Sequence, residues 1–171
     1  MNSVVKESAT QVDTPHAFMV RDLARSGLIP SDFPTPPAPF HYSNGRNAYR
    51  IQYTADWYKD RIDGDPKYLN CPGKPPPVVL LGEFKGAKIT AAVEGYKKAL
   101  LFHITTGVPT VVLDSCHGWG EAQVDTEELE VVRDIHQEIL SALPPVPHLV
   151  LMDGDWKSNE QVGNVLTCTQ N

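Results

Sequence analysis

The chain has 171 residues, of which 41% are hydrophobic and 21% charged, and its net charge is −6. These values are ordinary for a globular protein with one core, and they argue against a protein that holds duplex nucleic acid by charge alone. No apolar run approaches the about 20 residues needed to cross a bilayer, and the N-terminus lacks a signal-peptide pattern. We therefore expect a cytoplasmic protein without membrane contact.

The first part of the chain is mixed and rich in loops. We predict a mobile leader over residues 1–15, a short helix over 16–28, and a strand within 47–58, where apolar and polar side chains alternate. Proline-rich stretches between these elements indicate rigid connectors. Residues 16–76 are expected to form a small N-terminal lobe of mixed α+β structure.

From residue 77 onward, short apolar runs alternate with helical periodicity. The segment 125–143 has apolar residues at helical spacing and a capping box at Asp125 and Glu128, which predicts an amphipathic helix. Buried strands that alternate with helices are typical of a parallel sheet. We expect an α/β domain over residues 77–171, with strands in the apolar runs VVLL (78–81), VPTVVLD (108–114) and HLVLMD (148–153).

The segment around Gly95 allows two interpretations. Apolar residues at helical spacing predict one long helix, in which case Glu83 marks the end of the preceding strand. We favour a strand over 88–93 that is followed by Glu94 and then by a helix over 96–106. The reason is that glycine costs about 1 kcal/mol in the interior of a helix.

Acidic residues follow two of the predicted strands. Glu94 follows one, and MDGDW (152–156) places Asp153 and Asp155 on alternate residues after another. Ligands of parallel sheets bind beyond the carboxyl ends of the strands. Clustered carboxylates repel one another unless a cation neutralises them, and such hard oxygen ligands suit Mg²⁺ or Mn²⁺. The alternative is a solvated Asp-Gly-Asp turn.

These acidic motifs resemble the Toprim domain shared by bacterial replicative primases and topoisomerases, in which one strand ends in Glu-Gly and a later strand in Asp-x-Asp. Two further segments, DPKYLNCPG (65–73) and VVLDSCHGWG (111–120), extend the resemblance. The first is similar to the Pro-Lys-Tyr-Leu-Asn motif that precedes Toprim in bacterial primases. The second resembles the Toprim-containing primase–helicase proteins of phages and plasmids. The resemblance implies a Toprim-like, mostly parallel sheet flanked by helices.

The same resemblance implies roles for individual residues. Glu94 would be a metal ligand or a general acid/base, and Asp153 and Asp155 would be ligands of Mg²⁺ or Mn²⁺. Lys67 and Asn70, in the Lys-Tyr-Leu-Asn motif, would contact the template or the incoming nucleotide.

Two lysines, Lys97 and Lys98, follow the Glu-Gly pair. They match positions of the family less tightly than the other motif residues do. Contact with a phosphate group and a merely exposed helix face are both open for them.

The activity implied by the resemblance is that of a primase-type nucleotidyl transferase. Such an enzyme makes short primers on single-stranded DNA from nucleoside triphosphates, and a replicative helicase is its expected partner. The alternatives are a Toprim nuclease and a catalytically silent module that binds nucleic acid or a partner. The family fold continues beyond the Asp-x-Asp strand, whereas this sequence stops at Asn171, so we expect a Toprim-like domain truncated at its C-terminus.

Overall fold

The structure, a computed structural model, describes residues 13–114, 120–124, 131–135, 139, 141 and 143–151. The helices are α1 (Pro15–Arg25) and α2 (Tyr96–Thr106). The strands are β1 (Ala38–His41), β2 (Asn47–Thr54), β3 (Trp57–Ile62), β4 (Tyr68–Asn70), β5 (Val79–Leu81), β6 (Thr90–Glu94), β7 (Thr110–Leu113), β8 (Gly120–Val124), β9 (Val131–Ile135) and β10 (His148–Leu151).

Helix α1 confirms the helix predicted over 16–28. Thr14 is its N-cap, and the hydroxyl accepts a hydrogen bond from the backbone N–H of Ala17 at 3.2 Å. Proline suits the first helical position because the N–H that it lacks would have no acceptor there. The leader predicted over 1–15 lies outside the described residues except for its last three, the last of which begins α1.

The front sheet is antiparallel, with the strand order β1-β2-β3-β4. Its longest strand, β2, confirms the strand predicted within 47–58, and the side chains alternate between its two faces as expected. Tyr49 and Ile51 are buried on one face, whereas Arg50 on the other face is half-buried. The face of Tyr49 and Ile51 is turned toward the rest of the protein.

The back sheet has the strand order β10-β6-β7-β5. Strands β10, β6 and β7 are parallel, and β5 is an antiparallel outer strand beside β7. The α/β class predicted from the sequence is therefore confirmed. A mostly parallel sheet does not describe the protein as a whole, because the short connections of the first 70 residues produce the antiparallel front sheet.

The junction at Gly95 takes the form that we favoured from the sequence. β6 runs to Glu94 and α2 begins at Tyr96, so one long helix through this segment is wrong. Strand pairing with both β10 and β7 holds the residues before Gly95 in extended form. Gly95 itself has φ +83°, a conformation that breaks a helix and that side chains other than hydrogen disfavour.

The helix predicted over 125–143 is wrong for its central part. Val131–Ile135 forms strand β9, which pairs antiparallel with β8. Three of its five residues are β-branched, and such residues prefer strands when a partner strand is present. Among the described residues of this segment, Ile139 and Ser141 are helical.

One cluster of buried apolar side chains joins α1, both sheets and α2. It contains Phe18, Met19, Leu23, Leu28, Phe33, Tyr49, Ile51, Leu81, Ala91, Val93, Tyr96, Ala99, Leu100 and Val112. Phe84, Val111, Leu113 and Ile139 form a second cluster on the other face of β7, so this strand is covered on both faces. The division into a lobe over 16–76 and a domain over 77–171 stays a prediction, and the first cluster draws side chains from both. No helix among the described residues is long and apolar enough to span a membrane.

We predict that Leu23→Ala lowers the free energy of unfolding by about 2–5 kcal/mol, because it leaves a cavity in the shared core. Leu23 is 0% exposed. Val20→Ala, on the exposed side of the same helix at 42% exposure, is the matched control and should change stability by no more than about 0.5 kcal/mol. Urea unfolding of both variants tests this, and equal effects would contradict the packing of α1.

Candidate functional site

The carboxyl ends of β6 and β7 lie side by side at one edge of the back sheet. β6 ends at Glu94, whose pairing partner in β7 is Leu113, and Asp114 follows directly. Gly95 then turns the chain into α2, so the first turn of this helix begins beside the same edge. Two acidic side chains and a helix N-terminus therefore lie where parallel sheets bind ligands.

A cavity of about 370 Å³ opens at this edge. Its lining includes charged and aromatic side chains from both sheets: Tyr53, Lys59 and Tyr68 from the front sheet, and Glu94, Lys97, Lys98 and Asp114 from the back sheet and α2. In the front sheet, Lys59 is paired with Ile51 of β2 and with Asn70 of β4, so these three side chains share the face that is turned toward the cavity.

Asp114 is bound from across the cavity. The ammonium group of Lys59 lies 2.6 Å from Asp114 Oδ1, and the hydroxyl of Tyr53 donates a hydrogen bond to the same oxygen at 3.0 Å. Burial raises the pKa of the Tyr53 hydroxyl well above its usual range, and the nearby Asp114 carboxylate raises it further. Tyr53 therefore stays protonated and remains a hydrogen-bond donor. The contacts of Tyr53 and Lys59 with Asp114 tie β2 and β3 of the front sheet to the end of β7.

Asp22 of α1 is the centre of a second buried polar cluster. Its Oδ2 accepts hydrogen bonds from the Tyr49 hydroxyl at 2.6 Å and from the Lys97 ammonium group at 2.7 Å. Its Oδ1 accepts one from the Arg61 guanidinium group at 2.9 Å. Burial raises the pKa of the Asp22 carboxyl, but these donors and the two positive charges lower it more, so the net shift is downward. Asp22 is therefore ionised at neutral pH.

The structure brings three of the predicted site residues together. Glu94, Lys97 and Lys98 all line the cavity. The side chain of Lys97 is only 15% exposed because it reaches toward Asp22, whereas Lys98 is exposed. Glu83, the alternative strand-end glutamate, follows the antiparallel strand β5 and lines a different cavity at the opposite edge of the back sheet.

Lys67 and Asn70 lie beside this cavity and not in its lining. Both are exposed, and Tyr68 between them contributes to the cavity wall. The backbone carbonyl of Lys67 accepts a hydrogen bond from the N–H of Ile62 at 2.9 Å, which holds the start of β4 against β3. The predicted roles of Lys67 and Asn70 stay predictions.

The predicted metal ligands Asp153 and Asp155 lie outside the described residues. β10 ends at Leu151, which is paired with Val93, one residue before Glu94. Within the part of the chain that the structure describes, no group of three or more His, Cys, Asp or Glu side chains could hold a metal ion. Glu94 and Asp114 are two oxygen donors at the expected edge, and Asp114 is already bound to Lys59.

Sequence reasoning missed several residues of the site. Asp114 had the signal that selected Glu94, since it directly follows an apolar strand. Asp22 had a weaker one, because it shares the apolar face of α1 with Phe18 and Leu23. Lys59 had no comparable signal.

Acid should weaken the fold through Asp22. A carboxyl group whose folded-state pKa lies below the unfolded value of about 3.9 adds stability above that pH, and the contribution is lost as the pH falls through the folded value. We expect the free energy of unfolding to decrease below about pH 4 in the wild type, and to decrease less in Asp22→Asn. Urea titrations across this range test the difference, and parallel pH profiles would contradict it.

The functional interpretation of the cavity rests on the residues of the chain itself. Comparisons with protein-family models, with curated proteins and with solved structures gave no match. A function must therefore be inferred from three features of the cavity: the Glu-Gly junction, the lysines beside it and the aromatic wall opposite.

Proposed function

We propose that the protein is a primase-like, metal-dependent nucleotidyl transferase core with a Toprim-like back sheet. The observation that carries the proposal is the Glu94-Gly95 junction, which ends a parallel strand and opens into a cavity lined by lysines. A strand that ends in Glu-Gly and is followed by a helix is the arrangement that the resemblance to Toprim domains implies. It is also the arrangement that a single long helix would have excluded.

The charge of the cavity favours an anionic ligand. Among the described residues of the lining there are three lysines, Lys59, Lys97 and Lys98, and two carboxylates, Glu94 and Asp114. This described part of the lining therefore has a formal charge of +1, while the whole chain has a net charge of −6. The two further carboxylates proposed as metal ligands and the divalent cation that they would bind cancel in charge, so the occupied site would keep this sign. A positive cavity in an acidic protein attracts phosphate groups selectively to that place.

Mg²⁺ or Mn²⁺ is the proposed cofactor, and its ligands would be Glu94, Asp153 and Asp155. Glu94 fits this role because it presents a carboxylate, the donor type that these ions prefer, in the cavity wall. Asp153 follows Leu151 by two residues, a distance of extended chain of about 7 Å at most, and Leu151 is paired with Val93. When bound, a divalent ion supplies positive charge beside the attacking and leaving oxygens of phosphoryl transfer.

The remaining residues would bind and orient the substrates. Lys97 and Lys98 would contact phosphate groups of the bound nucleic-acid substrate, because they lie in the first turn of α2 beside Glu94. Tyr68 is 40% exposed in the opposite wall, and its ring is available to pack against the nucleotide or the template. Lys67 and Asn70 flank Tyr68 and would hold the template strand there.

The experiment that tests the proposal is incubation of the protein with single-stranded DNA, labelled nucleoside triphosphates and Mg²⁺ or Mn²⁺. Extension to short labelled products supports the transferase. Degradation of the DNA would favour the nuclease, and binding without either reaction would favour the silent module. The expected helicase partner stays a prediction.

We predict that Glu94→Gln reduces primer synthesis by at least about a hundredfold, since it removes a charge while it preserves the shape of the side chain. Glu83→Gln is the matched control because Glu83 lies at the opposite edge of the back sheet, and its activity should stay close to that of the wild type. Mn²⁺ should also raise the melting temperature of the wild type more than that of Glu94→Gln. Full activity in Glu94→Gln would reject its role.

We predict that Lys67→Ala weakens binding of single-stranded DNA by about tenfold through the loss of one charged contact, without unfolding the protein. Lys88→Ala is the control for charge, because Lys88 is also exposed but lies before β6, at the edge of the back sheet remote from Glu94. Fluorescence anisotropy across a salt titration measures both variants. Equal weakening in the two variants would show that Lys67 contributes only non-specific electrostatic attraction to DNA.

A further inference from the structure

Asp22 lies between the two segments that the proposed function needs to act together. One segment is the Glu94-Gly95 junction with the first turn of α2, and the other is the strand pair β3–β4, which contains the Lys-Tyr-Leu-Asn motif. Asp22 belongs to neither segment, because it comes from α1 near the start of the described chain. Its two carboxylate oxygens are nevertheless bound to side chains from both.

The link to the motif strand runs through Arg61. One terminal nitrogen of its guanidinium group contacts Asp22 Oδ1 at 2.9 Å. The other donates hydrogen bonds to the backbone carbonyls of Ile62 and, at 3.5 Å, of Lys67. The guanidinium carbon also lies 5.3 Å from the centre of the Tyr68 ring. Asp22 therefore holds a side chain that supports both the backbone and the ring of the motif.

The link to the cavity runs through Lys97. Its ammonium group contacts Asp22 Oδ2 at 2.7 Å and the Tyr49 hydroxyl oxygen at 3.5 Å. These contacts account for two of its three N–H bonds, and the residue lines the cavity. A lysine side chain has four rotatable carbon–carbon bonds, and it loses most of its conformational freedom when its ammonium group is fixed in this way.

The cluster also carries excess positive charge. Arg61 and Lys97 bring two positive charges to one carboxylate, and the Tyr49 hydroxyl is neutral because burial and the adjacent Asp22 charge raise its pKa far above its usual range. A buried group of net charge +1 at the cavity wall favours the approach of an anion. The arrangement suits a phosphate group that accepts from the remaining N–H bond of Lys97.

We propose that Asp22 is a positioning residue of the cavity, which fixes the Lys97 ammonium group for contact with a phosphate group of the nucleic-acid substrate and, through Arg61, holds the motif strand opposite. The inference rests on the proposed function. Asp22 itself touches no substrate, and its effect on binding is exerted through Lys97 and Arg61.

A double-mutant cycle between Asp22→Asn and Lys97→Met tests the inference, with a fluorescently labelled single-stranded oligothymidylate as the probe. Binding is measured at a temperature where thermal melts show every variant to be folded. In the wild-type background, Lys97→Met should weaken binding by about tenfold, the effect of one lost charged contact. In the Asp22→Asn background, the same change should have little effect, because Lys97 is no longer held at the cavity.

The spectroscopic readout is the ¹⁵N resonance of the Lys97 ammonium group, which is identified by its absence in Lys97→Met. An ammonium group that is held in a buried ion pair exchanges its protons slowly and gives a distinct signal. This signal should be lost in Asp22→Asn. It reports the placement of Lys97 without any ligand.

Asp60→Asn is the matched control. Asp60 is also a buried carboxylate paired with an arginine, since Arg50 contacts both of its oxygens at 2.8 and 3.0 Å. It lies one residue before Arg61 on the opposite face of the front sheet. The variant should lose stability as Asp22→Asn does, yet it should keep both the Lys97 signal and the tenfold effect of Lys97→Met.

The outcomes separate this inference from the proposed function. If the Lys97 signal persists in Asp22→Asn, or if Lys97→Met is equally damaging in both backgrounds, the positioning role is overturned while the function stands. If the wild type does not bind the probe, the proposed function fails, and the substrate contact of Lys97 fails with it.

If Asp22→Asn does not fold, Tyr49→Phe replaces it. That variant removes a hydroxyl that contacts both Asp22 and Lys97, and it should shift the Lys97 signal and weaken binding by a smaller factor, whereas an unchanged signal and affinity would overturn the role.

Discussion

The buried carboxylate of Asp22 is the interaction on which the arrangement of the cavity depends. Its partners, Tyr49, Arg61 and Lys97, come from β2, β3 and α2, so one side chain of α1 fixes three other elements. A charge inside a protein is tolerated when opposite charges and hydrogen bonds surround it, and removal of one partner of a buried pair typically costs about 3–5 kcal/mol. The cluster therefore ties the front sheet, α1 and α2 together through one buried carboxylate.

The same principle operates at the other side of the cavity. The side chains of Lys59 and Asp114 are 13% and 8% exposed and come from the front sheet and the end of β7 in the back sheet, respectively. In both places a lysine is brought to the cavity by a carboxylate that lies behind or beside it. The positive side chains are held before any ligand arrives, and this reduces the conformational entropy that binding must overcome.

Local sequence features predicted the elements around Glu94 well. The glycine at position 95 and the apolar residues before it predicted the end of β6 and the start of α2, because glycine is unfavourable in the interior of a helix, and the structure gives Gly95 a positive φ just before α2. The segment 131–135 shows the limit of such reasoning. Its apolar spacing suits a helix, yet β-branched residues that find a partner strand in β8 become a strand. Tertiary pairing outweighed local periodicity there.

The sequence by itself determined the α/β class and placed two lysines directly after Gly95, and it favoured a strand end at Glu94 over one long helix. These features depend on neighbouring residues, so periodicity and glycine placement encode them. Only the tertiary structure decided which carboxylates hold the lysines. Asp22 and Lys97 are 75 residues apart, and Lys59 and Asp114 are 55 apart. Contacts of that separation arise when the two sheets pack on one core, because packing and charge neutralisation act between surfaces and leave no periodic signal along the chain.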